Sequence, residues 1–557
     1  MKKRLSIIYL SIFLFYTYSI GQNYYLNPII PGFNPDPSIC RVGDDYYLAT
    51  STFEYYPGIP IYHSKDLVNW EMIGHALQKP SQLDLDEVNC SGGIYAPTLR
   101  YYNGVFYLIT TLVGRKTGLP GNFIVTATNP AGQWSEPHWI ENAPGIDPSL
   151  FFDDDGKVYY SGNISPKKRV WEKHRNIWIQ EIDLSTFKLK GYPVQVLDGS
   201  EYYKKNSLDG GIESGVNNYE GSHLYKKKGM YYLMISHGGT SHNHAVSIWK
   251  SENVWGPYQA NPKNPILTHR DLSPNFIFTS TGHADLVETS KGEWWMVYLA
   301  KRPIKGSFIM GRETFMSPVN WDDEWPVVNP NGYVGKGELK HKRPKLQACK
   351  VSTISIKDEF NSKELSPIWT FIRTPRSEWW SLNHRKGMLR IQLRPEKINE
   401  PVNPSFIGIR QQHYNFISSI KMDFTALSIN EEAGYVIERD NNHYYKFTVS
   451  MANGTRILRL SQKKGENTPE LILKELPIKE SHYTSLQIIG RETSYTFNYS
   501  KDGKKWLTLM NDEDGSFLGI NAGRFTGTFI GMYGSSNGQE SSNHVDFDWF
   551  EYISQKP

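Results

Sequence analysis

Five times along the chain, a short apolar strand, a polar turn containing glycine and a strand rich in aromatic residues follow one another. Asp36-Pro37-Ser38-Ile39 leads through Gly43 to Tyr46-Tyr47-Leu48, and Ala96-Pro97-Thr98-Leu99 through Gly104 to Phe106-Tyr107-Leu108. Asp147-Pro148-Ser149-Leu150 leads to Tyr159-Tyr160, Glu220-Gly221-Ser222-His223-Leu224 to Tyr231-Tyr232-Leu233, and His283-Ala284-Asp285-Leu286 to Trp294-Trp295-Met296. Each copy is a β-hairpin signature. The copies start 51 to 73 residues apart, with further strand fragments between them and no convincing helical pattern. This spacing predicts an all-β fold, a five-bladed β-propeller. The innermost strand of each blade lines the propeller axis, so equivalent positions meet at one opening. The copies begin with Asp36, Ala96, Asp147, Glu220 and His283. Any one of these acids is explained by a turn cap; three at equivalent positions are not.

Carboxylates crowded into a cleft push their pKa values apart, because like charges oppose joint ionisation. One acid and one base at the same pH are what glycoside hydrolysis needs. A third carboxylate can hold the acid's pKa up. The aromatic content supports a sugar ligand: 16 Trp and 35 Tyr exceed what cores require, and flat amphipathic rings stack on sugars. Phe53, Tyr55, Tyr56 and Tyr95 are the expected walls of the pocket. Sixty-one Lys and Arg against 57 Asp and Glu leave a net charge of +4 without a dense basic stripe, which argues against nucleic acid and anionic membranes as partners. Cys40, Cys90 and Cys349 are too few and scattered for a disulfide framework or a zinc site, and leave at most one disulfide.

Residues 1–21 read as a secretory signal: Lys2, Lys3 and Arg4, an apolar run from Leu5 to Ile20, then Gly21. An exported protein, periplasmic or secreted, is expected, with no membrane insertion once the signal is removed. Residues 22–345 hold the propeller repeats. Near His341-Lys342-Arg343-Pro344-Lys345 the repeats stop, and residues 346–557 alternate as in a β-sandwich of jelly-roll or lectin type, with Asn453-Gly454 and Asp502-Gly503 as tight turns. Ser500-Lys501-Asp502-Gly503-Lys504-Lys505-Trp506 looks superficially like a sialidase Asp-box and is read as a plain hairpin.

Several stretches together resemble glycoside hydrolase family 43, in its β-xylosidase/α-L-arabinofuranosidase branch with a C-terminal sandwich. They are Asn34-Pro35-Asp36-Pro37-Ser38, Ala49-Thr50-Ser51-Thr52-Phe53-Glu54, Gly92-Gly93-Ile94-Tyr95-Ala96-Pro97, Gly145-Ile146-Asp147-Pro148-Ser149, Glu220-Gly221-Ser222-His223, Gly282-His283-Ala284-Asp285-Leu286 and Gly311-Arg312-Glu313-Thr314-Phe315. The resemblance implies an inverting exo-glycosidase that removes a terminal pentose, α-L-arabinofuranosyl or β-D-xylosyl, from hemicellulose oligosaccharides such as arabinoxylan or xyloglucan fragments. It makes Asp36 the general base, Glu220 the general acid and Asp147 the carboxylate that tunes the acid. The base-to-acid separation is then expected at roughly 6.5–9.5 Å. Arg312 resembles the arginine that grips sugar hydroxyls, with a salt bridge to a nearby acid as its plain reading. Phe53 and Tyr95 match pocket aromatics. Phe525, within Gly523-Arg524-Phe525-Thr526-Gly527-Thr528-Phe529, matches an aromatic lent by the sandwich to close the mouth. The family often has Pro in place of Ser222 and Trp in place of Tyr95, departures that bear on pocket width and polarity. His283 lines the site in the family and, in some members, binds calcium or another divalent ion; the chain itself shows no metal-ligand spacing, and no cofactor is required. Asp285 is read as a turn cap, and His237, His242 and His244 as a surface or pocket loop without zinc.

Two other readings stand beside the hydrolase. A non-catalytic carbohydrate-binding propeller would lack at least one acid, and a protein-interaction propeller would need no acidic funnel. All three acids are present.

Overall fold

In the computed structural model, the described residues are 23–555 except 87, 115–120, 201–217, 323, 350–354, 479–482 and 520–524. The expected signal segment and Gly523-Arg524 fall outside them. Each sequence repeat forms the inner hairpin of one antiparallel blade, for example Ser38–Val42 with Asp45–Ala49 and Glu220–Lys227 with Met230–His237. Five such sheets follow in order, the third running Ser149–Phe152, Val158–Ile164, Asn176–Asp183 and Lys188–Leu197. Second strands such as Trp294–Lys301 are buried along nearly their whole length because neighbouring blades cover both faces. They read as continuous apolar runs, whereas the outermost Lys188–Leu197 is mostly exposed. The one described helical element is a single 3₁₀ turn, Ser516–Leu518.

Tyr24–Leu26 pairs with Lys340–Lys342, so the chain crosses back beside its start before entering the second unit. That unit is a sandwich of an eight-stranded and a six-stranded sheet. Asn453 and Gly454 take φ values of 49° and 71° at the turn between His443–Ala452 and Thr455–Lys464, as a two-residue hairpin of twisted strands demands. Ser500 to Trp506 is likewise a hairpin connection, with Asp502 accepting from the backbone of Lys504 and Lys505. The two units are not loosely tethered. Phe371–Ile372 pairs with Tyr55–Tyr56 of the propeller, and one apolar core runs from Ile59 and Leu83 to Trp369 and Trp379. Cys40, Cys90 and Cys349 are free thiols.

Beneath the opening, the blades are tied across the axis. Asp285 is fully buried and accepts from Ser38 Oγ at 2.7 Å, Arg100 Nη1 at 2.8 Å and Tyr225 Oη at 2.6 Å. Arg100 and Ser149 Oγ both contact His223 Nδ1, at 3.0 and 3.1 Å. All five blades thus contribute, the fourth with both His223 and Tyr225. This corrects the turn-cap expectation for Asp285: its repeat position turns the side chain into the axis, where the Arg100 cation and burial in a hydrogen-bonded ring replace solvent. Arg100 and the other donors hold its pKa well below the usual range against the cost of burial. The stabilisation is therefore present above pH ~4, the pKa of an unfolded aspartate, and is lost as pH falls below it. Asp285→Ala strands the guanidinium and should cost about 3–5 kcal/mol, measured by urea unfolding at neutral pH. A loss below about 1 kcal/mol would show that the ring does not hold the blades together.

Candidate active site

The first residues of the blades reach the axis through unusual backbone. Asp36, Asp147 and His283 have φ of 54°, 55° and 46°, in the left-handed region that non-glycine residues rarely occupy. Such positions cost about 1–3 kcal/mol each and persist where the surroundings over-determine them. Here a left-handed step, just before the inner strand at Asp36 and Asp147 and within Thr279–Glu288 at His283, swings the side chain into the opening. In the fourth blade the step falls one residue later, on Gly221 (φ 56°), where an added Cβ would stand 3.0 Å from the His283 ring. Register shifts beside Glu220 and around His283 mark local bulges, which re-aim side chains next to sites.

Asp36, Asp147, Glu220, His283, Arg312, Phe53, Tyr95 and Phe525, the eight residues singled out from the sequence, line one recess of about 80 Å³ together with Ala96, Ile146 and Thr240. Asp36 and Asp147 are buried, while Glu220 keeps an accessible face. Ser51 Oγ donates to Asp36 Oδ2 at 2.7 Å, and Arg312 Nη1 to Oδ1 at 2.6 Å, so the carboxylate has a fixed counter-charge. His283 Nδ1 stands 3.7 Å from Asp36 Oδ1, beyond hydrogen-bond reach. The salt bridge expected of Arg312 is present, and its guanidinium also lines the recess. One guanidinium nitrogen is spent on Asp36, while Nη2 is buried without a hydrogen-bond partner among the described residues. An unmade bond from a buried cation is costly, and a sugar hydroxyl in the recess would supply the acceptor.

Burial raises the pKa of Glu220 to about 7, with the Asp36 charge adding to it and Arg312, Arg175 and Lys173 opposing it. Asp147 is pushed well above the usual range by burial, then by Glu220 and Asp36. Ala96, the one repeat start without a polar side chain, donates its backbone N–H to Asp147. Removing one member of a mutually repelling pair lets the other ionise earlier. Asp147→Asn should therefore shift a limb of the kcat/KM profile as well as slow turnover. An unmoved limb would mean that Asp147 does not tune Glu220.

The wall is built from both units. Phe53, Tyr95 and Phe525 stand with ring centroids 5.1 to 6.0 Å apart, and the Arg312 guanidinium lies over Phe53 at 5.2 Å and Phe525 at 5.4 Å. The sandwich loop reaches the propeller because Gly311 and Gly527 let two backbones touch: a Cβ on Gly311 would lie 2.8 Å from the Gly527 Cα. Ser91, not foreseen from the sequence, is the hinge-pin of this wall. Its Oγ accepts from the Phe525 N–H at 2.9 Å, its carbonyl from Tyr95 Oη at 3.2 Å, and its N–H donates to Glu54 at 3.0 Å. No sequence period marks Ser51, Ser91 or Thr240, since each acts through a contact made only on folding.

Two expectations need correction. Tyr55 and Tyr56 are not pocket walls: Tyr55 stacks on Phe529 and bonds Glu438, and Tyr56 joins the strand pair to the sandwich. Their backbone turns away from the axis after Phe53, so both rings fill the seam between the units. Of the surface-or-pocket-loop reading the surface half fails: His237 and His244 are buried, with His237 Nε2 at 2.9 Å from Ser247 Oγ and His244 Nδ1 at 3.2 Å from the Ser280 carbonyl, while Thr240 of the same segment lines the recess. Both histidines flank the connection between the second and third strands of the fourth blade, where packing excludes water. For calcium at His283, few suitable side-chain donors are present. Calcium takes six to eight oxygens, His283 offers nitrogen, and Asp36 is committed to Arg312 and Ser51. No group of three or more His, Cys, Asp or Glu able to hold a metal occurs among the described residues.

Residues 25–326 match glycosyl hydrolases family 43, and residues 357–553 match the β-xylosidase C-terminal concanavalin A-like domain. A non-reducing-end α-L-arabinofuranosidase of Bacteroides ovatus is 41% identical over 537 residues, covering 96% of both chains. A xylosidase/arabinosidase of Butyrivibrio fibrisolvens is 40% identical, covering 94% of this chain and 98% of its own. The solved structure of Bacteroides ovatus xyloglucan PUL GH43B superposes with a TM-score of 0.85 at 39% identity, over 96% of this chain and 100% of that one.

Proposed function

The chain belongs to glycosyl hydrolase family 43, and from that membership we propose that it releases single terminal pentoses, α-L-arabinofuranosyl and β-D-xylosyl, from the non-reducing ends of hemicellulose oligosaccharides with inversion. The observation that carries this reading is the small recess in which three acids and the free Nη2 of Arg312 meet under a lid containing Phe525. A ring held there by Arg312 and flanked by Phe53 and Tyr95 presents its anomeric carbon to the acids. Asp36 takes a proton from a water whose oxygen bonds to that carbon. The glycosidic bond breaks as Glu220, protonated below about pH 7, gives its proton to the departing oxygen. Burial and the Asp36 charge keep Glu220 proton-bearing, Asp147 stands beside it with its own carboxyl pushed up by burial and by Glu220 and Asp36, and His283 packs beside Asp36. No step requires a metal.

A recess of this size suits one ring, hence exo action. The relatives' names favour arabinofuranosyl and xylosyl ends, and xyloglucan fragments as a source. The basic, then apolar, amino terminus supports export; among the described residues no helix is long and apolar enough to cross a membrane. The test is product analysis on arabinoxylan, xyloglucan and linear xylo-oligosaccharides, with the anomer followed by NMR. Monomeric pentose of inverted configuration is expected. Products longer than one sugar, retained configuration, or binding without turnover of any substrate would each refute the proposal.

A further inference from the structure

Whole-chain charge balance hides a local excess. Between the second and third strands of the third blade, Ser165–Arg175 carries Lys167, Lys168, Arg169, Lys173 and Arg175 against a single Glu172. That surplus is as large as the net +4 of the entire protein, which corrects the expectation of no dense basic stretch. Among the described residues none of the five cations is ion-paired. Arg169 and Arg175 instead donate to the Glu172 carbonyl and to Ser165 Oγ. Lys167, Lys168, Arg169 and Lys173 are exposed. Like charges packed this closely repel one another, so the loop lowers the stability of the free protein unless an anion completes it.

Topology puts the loop at the opening. Ser149 pairs with Ser161, so the end of Val158–Ile164 rises beside Asp147, and the Ile146 N–H donates to Asn163 Oδ1. Arg175 and Lys173 are near enough to oppose the pKa rise of Glu220. Glu220 faces the oxygen that leaves with the rest of the oligosaccharide, so the loop flanks the path of the leaving sugars and not the pentose ring. Nothing anionic is needed to hold a pentose. We propose that Ser165–Arg175 is a subsite for an acidic aglycone, recognising a uronic-acid carboxylate on the oligosaccharide from which the pentose is removed. This inference rests on the exo-glycosidase reading and names its substrate class.

Two substrates of equal shape test it: a pentose-capped xylo-oligosaccharide bearing one glucuronosyl branch, and the same molecule with its carboxyl reduced to a primary alcohol. At low ionic strength the acidic one should show about ten-fold higher kcat/KM, most of it in KM. That advantage should vanish at ~1 M salt, where the screening length is ~3 Å. In K167S/K168S/R169S, three exposed positions, the ratio between the two substrates should fall by about half or more, and adding K173S should bring it to about one. The groups facing Glu220 are Asp36, Asp147, His283, Arg312, Lys173 and Arg175. A carboxylate seated against the last two offsets their pull, so the alkaline limb should lie at higher pH for the acidic substrate than for the reduced one. Equal kcat/KM on both substrates at low salt, or a ratio unchanged by the triple substitution, overturns the subsite while leaving the hydrolase standing. No turnover of either overturns both.

Discussion

Asp36→Ala should abolish hydrolysis of every substrate, whatever its leaving group, with kcat falling by about 10⁴-fold. The reason lies in the role: without this carboxylate nothing in the recess accepts the proton of the attacking water, and a better leaving group does not replace a missing nucleophile. The shape-preserving Asp36→Asn keeps one acceptor oxygen, for Arg312, while Ser51 Oγ can accept from the new amide; it cannot take the proton and should be comparably inactive. Parallel assays with p-nitrophenyl α-L-arabinofuranoside, p-nitrophenyl β-D-xylopyranoside and an oligosaccharide decide the matter, with thermal unfolding as a check on folding. If either variant retained more than about a tenth of wild-type kcat, water activation would have to be assigned elsewhere.

Glu220→Ala should separate the substrates instead. On an oligosaccharide, whose leaving oxygen needs a proton, the loss is expected at about 10²–10⁴-fold; on the nitrophenyl glycosides, whose phenolate departs unaided, about ten-fold or less. The wild-type kcat/KM should fall as pH rises through about 7, where the Glu220 proton is lost. In the variant that alkaline limb should disappear for nitrophenyl substrates. Equal losses on both substrate types, or an alkaline limb that survives, would remove Glu220 from the role of acid. The same residue carries a stability signature. A carboxyl whose pKa is raised on folding supports the fold below its unfolded value of ~4.3, and that support is lost as pH climbs through its folded value. Glu220→Gln should consequently raise Tm at pH 8 and leave it nearly unchanged at pH 4. Such a pairing of lost turnover with gained stability is expected where like charges are held together for chemistry.

The repeat spacing carried the propeller, and with it the meeting of Asp36, Asp147 and Glu220, because hairpin periodicity is local and blade closure converts equal positions into neighbours. Resemblance of short motifs added Arg312, Phe53, Tyr95 and Phe525, which no period distinguishes. Tyr55 and Tyr56 were misplaced because an aromatic pair beside Phe53 looks the same in one dimension whether it faces a sugar or a seam. Asp285 was mistaken for a cap because its partner Arg100 lies 185 positions away.

By itself, then, the order of residues determined the strand pattern, the blade count, the sandwich that follows and the three acids at the opening. The tertiary structure alone decided that Ser91 joins Tyr95 to Phe525 across 434 positions, that Arg312 keeps one nitrogen free while another holds Asp36, and that a basic loop stands beside Glu220. Alternation of apolar and polar side chains is written into adjacent residues by backbone geometry. Distances between side chains hundreds of residues apart, and the burial that sets their charge, exist only once blades and sandwich have closed on each other.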